Sequence, residues 1–419
     1  MHRAIYRPRA DARFRTISET KILDMLLLEC WAVDGTSPRQ ARAITSDSFE
    51  GWIANGLGFH TAPDGRRLFD PVEVINFMKW SGLTGQDRFW TDHYVEAWRA
   101  RVLRGRSEKS SEARPPQTVR VKFTRTFDLH SFPRDAKVRL RVPVPLAGDQ
   151  VRDLEIHPIT ALDTESVATL RESCLEVRMS GISDSIVTIG VDCSMVVFVR
   201  PSHGPPLAAG DRDLYLRPDE GLIRVTPRVA ALAEKLDGKR DPHEAVSAFW
   251  FYMLDSFICG AVRYNEVLAQ TCGDWVLDNG WFDCQLGSAL LASLCRSRGI
   301  PARIVSGHFL YRDAPTHHYW AEVWFDDAGW TPFDLLSWDL SQAGRDLEWR
   351  SVFAGQVDDR IITQRLPLTF TGAMSVRLPP AWQMLQTRAK HGIDITYSDP
   401  IDGSLIYQDH IEVENGGPT

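Results

Sequence analysis

Trp281-Phe-Asp-Cys284-Gln-Leu-Gly-Ser288-Ala-Leu-Leu-Ala-Ser-Leu-Cys-Arg-Ser-Arg-Gly299-Ile-Pro-Ala-Arg303, then His318-Tyr-Trp320-Ala-Glu322-Val-Trp324, then Gly329-Trp330-Thr-Pro-Phe-Asp334: these three segments decide the fold. After Cys284, Leu286, Leu290, Leu291 and Leu294 recur at helical spacing, and Gly299 follows Arg296 and Arg298 as a stop. Cys284 therefore heads a helix, where the macrodipole favours a thiolate. His318, Trp320, Glu322 and Trp324 share one face of a period-two strand, and Tyr319, Ala321 and Val323 share the other. Asp326-Asp327-Ala328-Gly329 is turn chemistry, so Trp330 to Asp334 returns antiparallel and ends with Asp334 near His318. Pro332 cannot donate to a ladder and marks an edge or a bulge.

A cysteine, a histidine and an aspartate in this order suit a thiol nucleophile, its base and the group that orients the base. Taken singly, each has a plainer reading: a buried inert thiol, a satisfied polar strand residue, a turn residue. In this order and with the intervening pattern, catalysis is the better account. His317 falls on the face opposite Trp320 and Glu322, so His318 takes the base role. Glu322 is either an acceptor behind the site or a solvated strand residue, and Arg303 an anchor of the helix–strand junction.

Cys284 with Ser288 four positions on, Gly299-Ile300-Pro301-Ala302-Arg303, His318-x-Trp320-x-Glu322-Val323 and Gly329-Trp330…Asp334 together resemble the transglutaminase-like superfamily, the papain-like Cys-His-Asp acyltransferases and peptidases. The resemblance spans roughly residues 225 to 340. Phe282 and Leu335 depart from it, standing where many relatives have Gly and Pro. It implies an α+β fold whose core packs a helix on antiparallel strands, and covalent acyl transfer through a thioester. Cys284 would attack a carbonyl, His318 shuttle the proton and Asp334 hold the imidazolium. The acyl donor would be a peptide, an amide or a carrier-bound thioester, and the acceptor an amine or water. Trp281 and Trp320 flank Cys284 and His318 in sequence and could wall the thioester, which favours an amine. Tyr264 or Trp275 could supply an oxyanion donor beside the Cys284 N–H, or simply pack. The alternatives are a cysteine peptidase or amidase using water, and an inactive binding scaffold of the same fold. A metal site from Cys284, His317, His318 and Asp334 lacks paired ligand spacing, so neither metal nor cofactor is expected.

The remaining sequence sets bounds on these readings. The 419 residues suggest two or three domains, and 43% hydrophobic with 25% charged residues is ordinary globular composition. A net charge of −7 gives no case for nucleic acid or an anionic membrane. Seven scattered cysteines, without CxxC spacing, suggest a reducing compartment. Met25-Leu-Leu-Leu28 is too short and too flanked by charge for a signal core, so a cytoplasmic location is expected.

Residues 1–104 read as an appended helical N-terminal domain and 105–116 as a linker. Residues 117–205 read as a β-sandwich-like, β-rich middle domain, with strands around Val119, Val138, Cys174 and Ser185 to Val199. Residues 206–419 read as the catalytic core. It is expected to hold helices at Val229–Leu236 and Pro242–Phe257, with C-terminal strands at Leu366–Phe370, Met374–Leu378, Asp394–Tyr397 and Ser404–Tyr407.

Overall fold

In the computed structural model the described residues are 116–198 and 207–366, apart from short gaps in loops, together with 395–397, 406–415 and isolated positions between 50 and 103. The linker 105–116 lies almost wholly outside them, as do the strands expected at Leu366–Phe370, apart from Leu366, and at Met374–Leu378.

The middle of the chain alternates polar and apolar residues, and that alternation builds two facing sheets. The strands are β1 (Gln117–Asp128), β2 (Val138–Pro143), β3 (Val151–Thr160), β4 (Val167–Leu170), β5 (Cys174–Met179) and β6 (Ile186–Val197). β1 and β6 run antiparallel from Gln117↔Val197 to Asp128↔Ile186. Val119, Val121, Phe123, Val191, Cys193 and Met195 from these two strands enter the sandwich core.

Two short late strands change the expected division of the chain. Residues Ile395–Tyr397 and Ile406–Asn415 were expected to extend the catalytic core. They pair instead with β2 and β1 of the sandwich, through Ile395↔Leu140 and Val413↔Val121. The sandwich is thus made of sequence on both sides of the core. Among the described residues, the three-residue strand covers Val138 to Leu140 on that flank of β2.

The core begins with α1 (Pro227–Asp237) and α2 (Pro242–Ser256), capped by Thr226 and Asp241. The Asp241 carboxylate accepts from the N–H of His243 at 2.9 Å and of Glu244 at 3.1 Å. β7 (Ile258–Cys259) follows, then α3 (Cys272–Asn279), β8 (Trp281–Phe282) and α4 (Cys284–Ser297). α4 is buried from Gln285 to Arg296 and packs on a four-stranded antiparallel sheet. That sheet holds β9 (Ala302–Phe309), β10 (His317–Phe325), β11 (Gly329–Phe333) and β12 (Arg360–Leu366), in the order β11-β10-β9-β12. Pro332 sits on the edge strand β11 opposite Glu322.

Helix and sheet share one core through Leu286, Leu290, Leu294, Ile304, Tyr319, Ala321 and Val323. β12 carries the join to the sandwich: Ile361 belongs to the sandwich core, whereas Ile362 packs with Trp320, Val305 and Leu146. The described part of 50–103 docks on this core rather than standing apart. Leu57 and Phe77 enter the main cluster, and Val102 joins Phe309, Leu336, Trp349 and Phe353. Among the described residues no helix is long and apolar enough to cross a membrane.

Candidate active site

Cys284 is the first residue of α4, and Asp283 before it caps the helix by accepting from the N–H groups of Gln285 (3.0 Å) and Leu286 (2.8 Å). One turn on, the Ser288 hydroxyl donates to the Cys284 carbonyl at 2.6 Å. Five other cysteines among the described residues are buried, and Cys284 alone of the six is half-exposed. Burial pushes the Cys193 thiol up to about 12 and the Cys272 thiol up to about 11. Such thiols stay protonated and inert at neutral pH.

Phe282 and Leu335 both reach Gly287. A methyl group at Gly287 would stand 2.6 Å from each side chain. The helix therefore lacks a side chain where the chain before Cys284 and after Asp334 carries large ones. Phe282 is fully buried, 6.1 Å from the Phe257 ring, with its backbone bridged to Cys259 and Gly260. The segment that delivers Cys284 is thus fixed by packing as well as by the Asp283 cap.

His318 is the second residue of β10, directly opposite Gly307 of β9. Its Nε2 lies 2.8 Å from Asp334 Oδ1, and its ring hydrogen-bonds Cys284 on the other side. Since Nε2 is engaged by Asp334, Nδ1 is the nitrogen turned to the thiol. Burial by itself would depress this imidazole. The negative charges of Asp334 and of a Cys284 thiolate outweigh that, and its pKa rises to about 9. His317 points the other way, with its ring 5.1 Å from His308 and 4.9 Å from Tyr319.

Asp334 directly follows β11 and is completely buried. Burial alone would raise its pKa; His318, Arg360 and the Leu336 N–H (2.8 Å to Oδ1) reverse that and hold it far below the usual carboxylate range. Its second oxygen, Oδ2, accepts from Arg360 Nη1. Arg360 opens β12 and is itself 3% exposed, with Phe309 and Phe353 ring centres 4.6 Å from its guanidinium carbon and Trp320 at 5.2 Å.

The aromatic residues expected near the thiol fall in different places. Trp320 packs with Leu146, Val305 and Ile362 beside Arg360. Trp281 is buried in the main core, and Trp275 on α3 packs at its margin. Tyr264 lies outside the described residues. Glu322 is buried rather than solvated: it takes Arg303 Nε at 2.8 Å and Nη2 at 2.6 Å, while the Arg303 guanidinium lies 3.9 Å over Trp330. Among the described residues no group of three His, Cys, Asp or Glu is placed to hold a metal ion.

Arg360 was not among the residues singled out from sequence. Its strand, Arg360-Ile-Ile-Thr-Gln-Arg-Leu366, is buried on both faces from Arg360 to Gln364, so the alternation that reveals a half-exposed strand is missing. The faint signal is a cation opening a β-prone run.

Among solved structures, a candidate cysteine protease from Cytophaga hutchinsonii is similar to the chain at 12% identity, covering 74% of this chain and 93% of its own, with a TM-score of 0.49. The periplasmic domain of TgpA from Pseudomonas aeruginosa is similar at 16% identity, covering 57% of this chain and 93% of its own, with a TM-score of 0.29. No curated protein matches. Residues 230–335 match the model of the transglutaminase-like superfamily, and this stretch of the chain, running from α1 to just past Asp334, is a domain of that superfamily.

Proposed function

We propose that the protein is a cysteine-dependent acyl-transfer enzyme working through a thioester. The observation that carries the reading is His318, held by Asp334 on one ring nitrogen and facing Cys284 with the other. Cys284 gives its proton to His318 Nδ1, and the sulfur attacks the carbonyl carbon of the acyl donor. The first turn of α4, with the Cys284 N–H at its head, faces the developing oxyanion with positive dipole. The imidazolium returns the proton to the leaving group as the tetrahedral adduct collapses to the thioester. An acceptor then loses a proton to His318, attacks the same carbon and releases the thiol.

The donor class is a peptide, an amide or a carrier-bound thioester. An amine is favoured over water as acceptor, because the imidazole–carboxylate pair is 8% and 0% exposed and an amine delivered by binding competes well in a water-poor site. The test is intact-mass detection of an acyl-enzyme on Cys284 after exposure to a cell extract, with Cys284→Ala as control. Trapping with primary amines then compares amide with free acid. No adduct on Cys284 overturns the mechanism, and free acid at every amine concentration turns it into a hydrolase.

A further inference from the structure

We infer that Arg360 is a positioning residue for the reaction: it clamps the outer oxygen of Asp334 and through it sets how His318 holds and releases its proton. The inference rests on the reading of Cys284, His318 and Asp334 as one catalytic unit. Arg360 lies beyond residue 335, outside the stretch that matches the superfamily model.

The argument begins with the two Asp334 oxygens. Oδ1 serves His318 Nε2 and the Leu336 N–H, both at 2.8 Å, so one face of the carboxylate is fixed toward the base. Oδ2 is turned to Arg360. Asp334 is completely buried, and the surroundings on the Arg360 side are the rings of Phe309, Trp320 and Phe353. Without the guanidinium, a buried anionic oxygen would face aromatic carbon, a state proteins avoid by rotation, protonation or water entry. Any of these frees Asp334 to turn, and the imidazole loses its fixed orientation.

The electrostatic consequence is separate. Among the described residues, the charged groups facing the pair are Cys284 and Arg360, while Arg99 and Asp346 pair with each other beside Trp349. With Arg360 present, the buried set is neutral both before and after the proton moves from Cys284 to His318. With Arg360 removed, Asp334 has only the imidazolium to answer it, and the proton is held harder on His318.

Arg suits this place and Lys does not. A flat guanidinium can be bordered by three rings while one N–H reaches the carboxylate, whereas an ammonium is compact and more strongly hydrated. The backbone is shaped to deliver it. The register between β9 and β12 slips between Ser306 and Gly307, and a methyl group at Gly307 would stand 1.8 Å from the Ile361 carbonyl oxygen. Bare Gly307, opposite His318, lets β12 come in close enough to put Arg360 against Asp334.

The test measures the pH dependence of Cys284 alkylation by iodoacetamide in the full chain, with the parent, R360M, R360K, D334N and the D334N/R360M double variant. In R360M the upper limb, where the imidazolium loses its proton, should move up by about one pH unit, the scale of a nearby opposite charge. The maximal rate should fall about tenfold or more as the base loses its alignment. R360K should keep the limb and lose part of the rate. In the D334N background R360M should leave the rate unchanged, because Arg360 aligns the base only through the carboxylate. A folded R360M with the parent's limb overturns the inference, as does an equal loss of rate with and without Asp334. Should R360M fail to fold by near-ultraviolet circular dichroism, R360K decides: a parent-level rate overturns it. A parent whose Cys284 alkylates no faster than an ordinary thiol sinks the catalytic reading itself, which is a distinguishable failure.

Discussion

Gly307→Ala puts the delivery of Arg360 under direct test. Gly307 is not in the left-handed region, so alanine is tolerated by its own backbone and only space opposes it. The added methyl would lie 1.8 Å from the Ile361 oxygen and 3.0 Å from the edge of the Trp320 ring. Real contacts of this kind essentially never fall under 3.0 Å, so β12 must retreat by at least 1.2 Å, the shortfall between those two distances. Overpacking of this kind costs about 1–3 kcal/mol, and loosening one β9–β12 hydrogen bond adds about 1 kcal/mol. The expected loss of stability is therefore about 2–4 kcal/mol, read as a lowered urea midpoint with unchanged slope. Activity should fall further than stability does. A retreat of this size stretches the Arg360–Asp334 contact, and misplacement by about 1 Å near reacting groups costs on the order of 10²-fold in rate. The assay pairs urea unfolding with Cys284 alkylation at a denaturant concentration where the variant is fully folded. A Gly307→Ala protein of parental stability and parental thiol reactivity refutes the reasoning, for it would mean β12 and Arg360 are not held against Asp334 as described.

Other outcomes follow from the same geometry. His318→Ala should abolish thiol activation while His317→Ala leaves most of it, since the His317 ring packs on His308 and Tyr319; equal losses in alkylation rate would contradict this. Arg303→Met should cost about 3–5 kcal/mol by taking its cation away from the buried Glu322 carboxylate, and Arg303→Met with Glu322→Leu should cost less, as urea midpoints will report. The raised His318 pKa contributes stability that is fully present below its unfolded value of about 6.5 and is lost as pH rises through about 9. The depressed Asp334 pKa contributes stability present above about 3.9 and lost as pH falls. Urea midpoints should accordingly decline between about pH 6.5 and 9 in the parent, and Asp334→Asn should flatten that decline; an equal decline in both would sever the link between the two residues.

How much of this was legible in sequence differs by element. α4 could be read because its leucines repeat at helical spacing between Cys284 and Gly299. β10 and β11 could be read because a turn-forming run separates two strand patterns, which brings Asp334 near His318 without fixing the register. β3 and β4 escaped notice: in β3 charged residues and a proline interrupt the alternation, and β4 is four residues long and exposed throughout. Arg360 escaped because β12 is buried on both faces. The partner of Ile406–Asn415 escaped because pairing with β1 is a contact between distant parts of the chain, which no local pattern announces. Phe282 and Leu335 read as departures from a family pattern; in space they answer the missing side chain at Gly287.

The two-part sandwich has a consequence for how the chain must be made. β1 emerges from the ribosome early, and the strand that pairs with it from Val119 to Asp128, Ile406–Asn415, is synthesised after everything else described in the fold. During that interval β1 presents an unpaired edge on the flank away from β6, with Val119, Val121 and Phe123 alternating along it. Open apolar edges of this kind invite pairing with other chains. The sheet under α4, complete once Leu366 has been added, can close before the sandwich does. Premature termination after residue 366 would thus release chains with an assembled thiol site on a half-built support, prone to associate through β1.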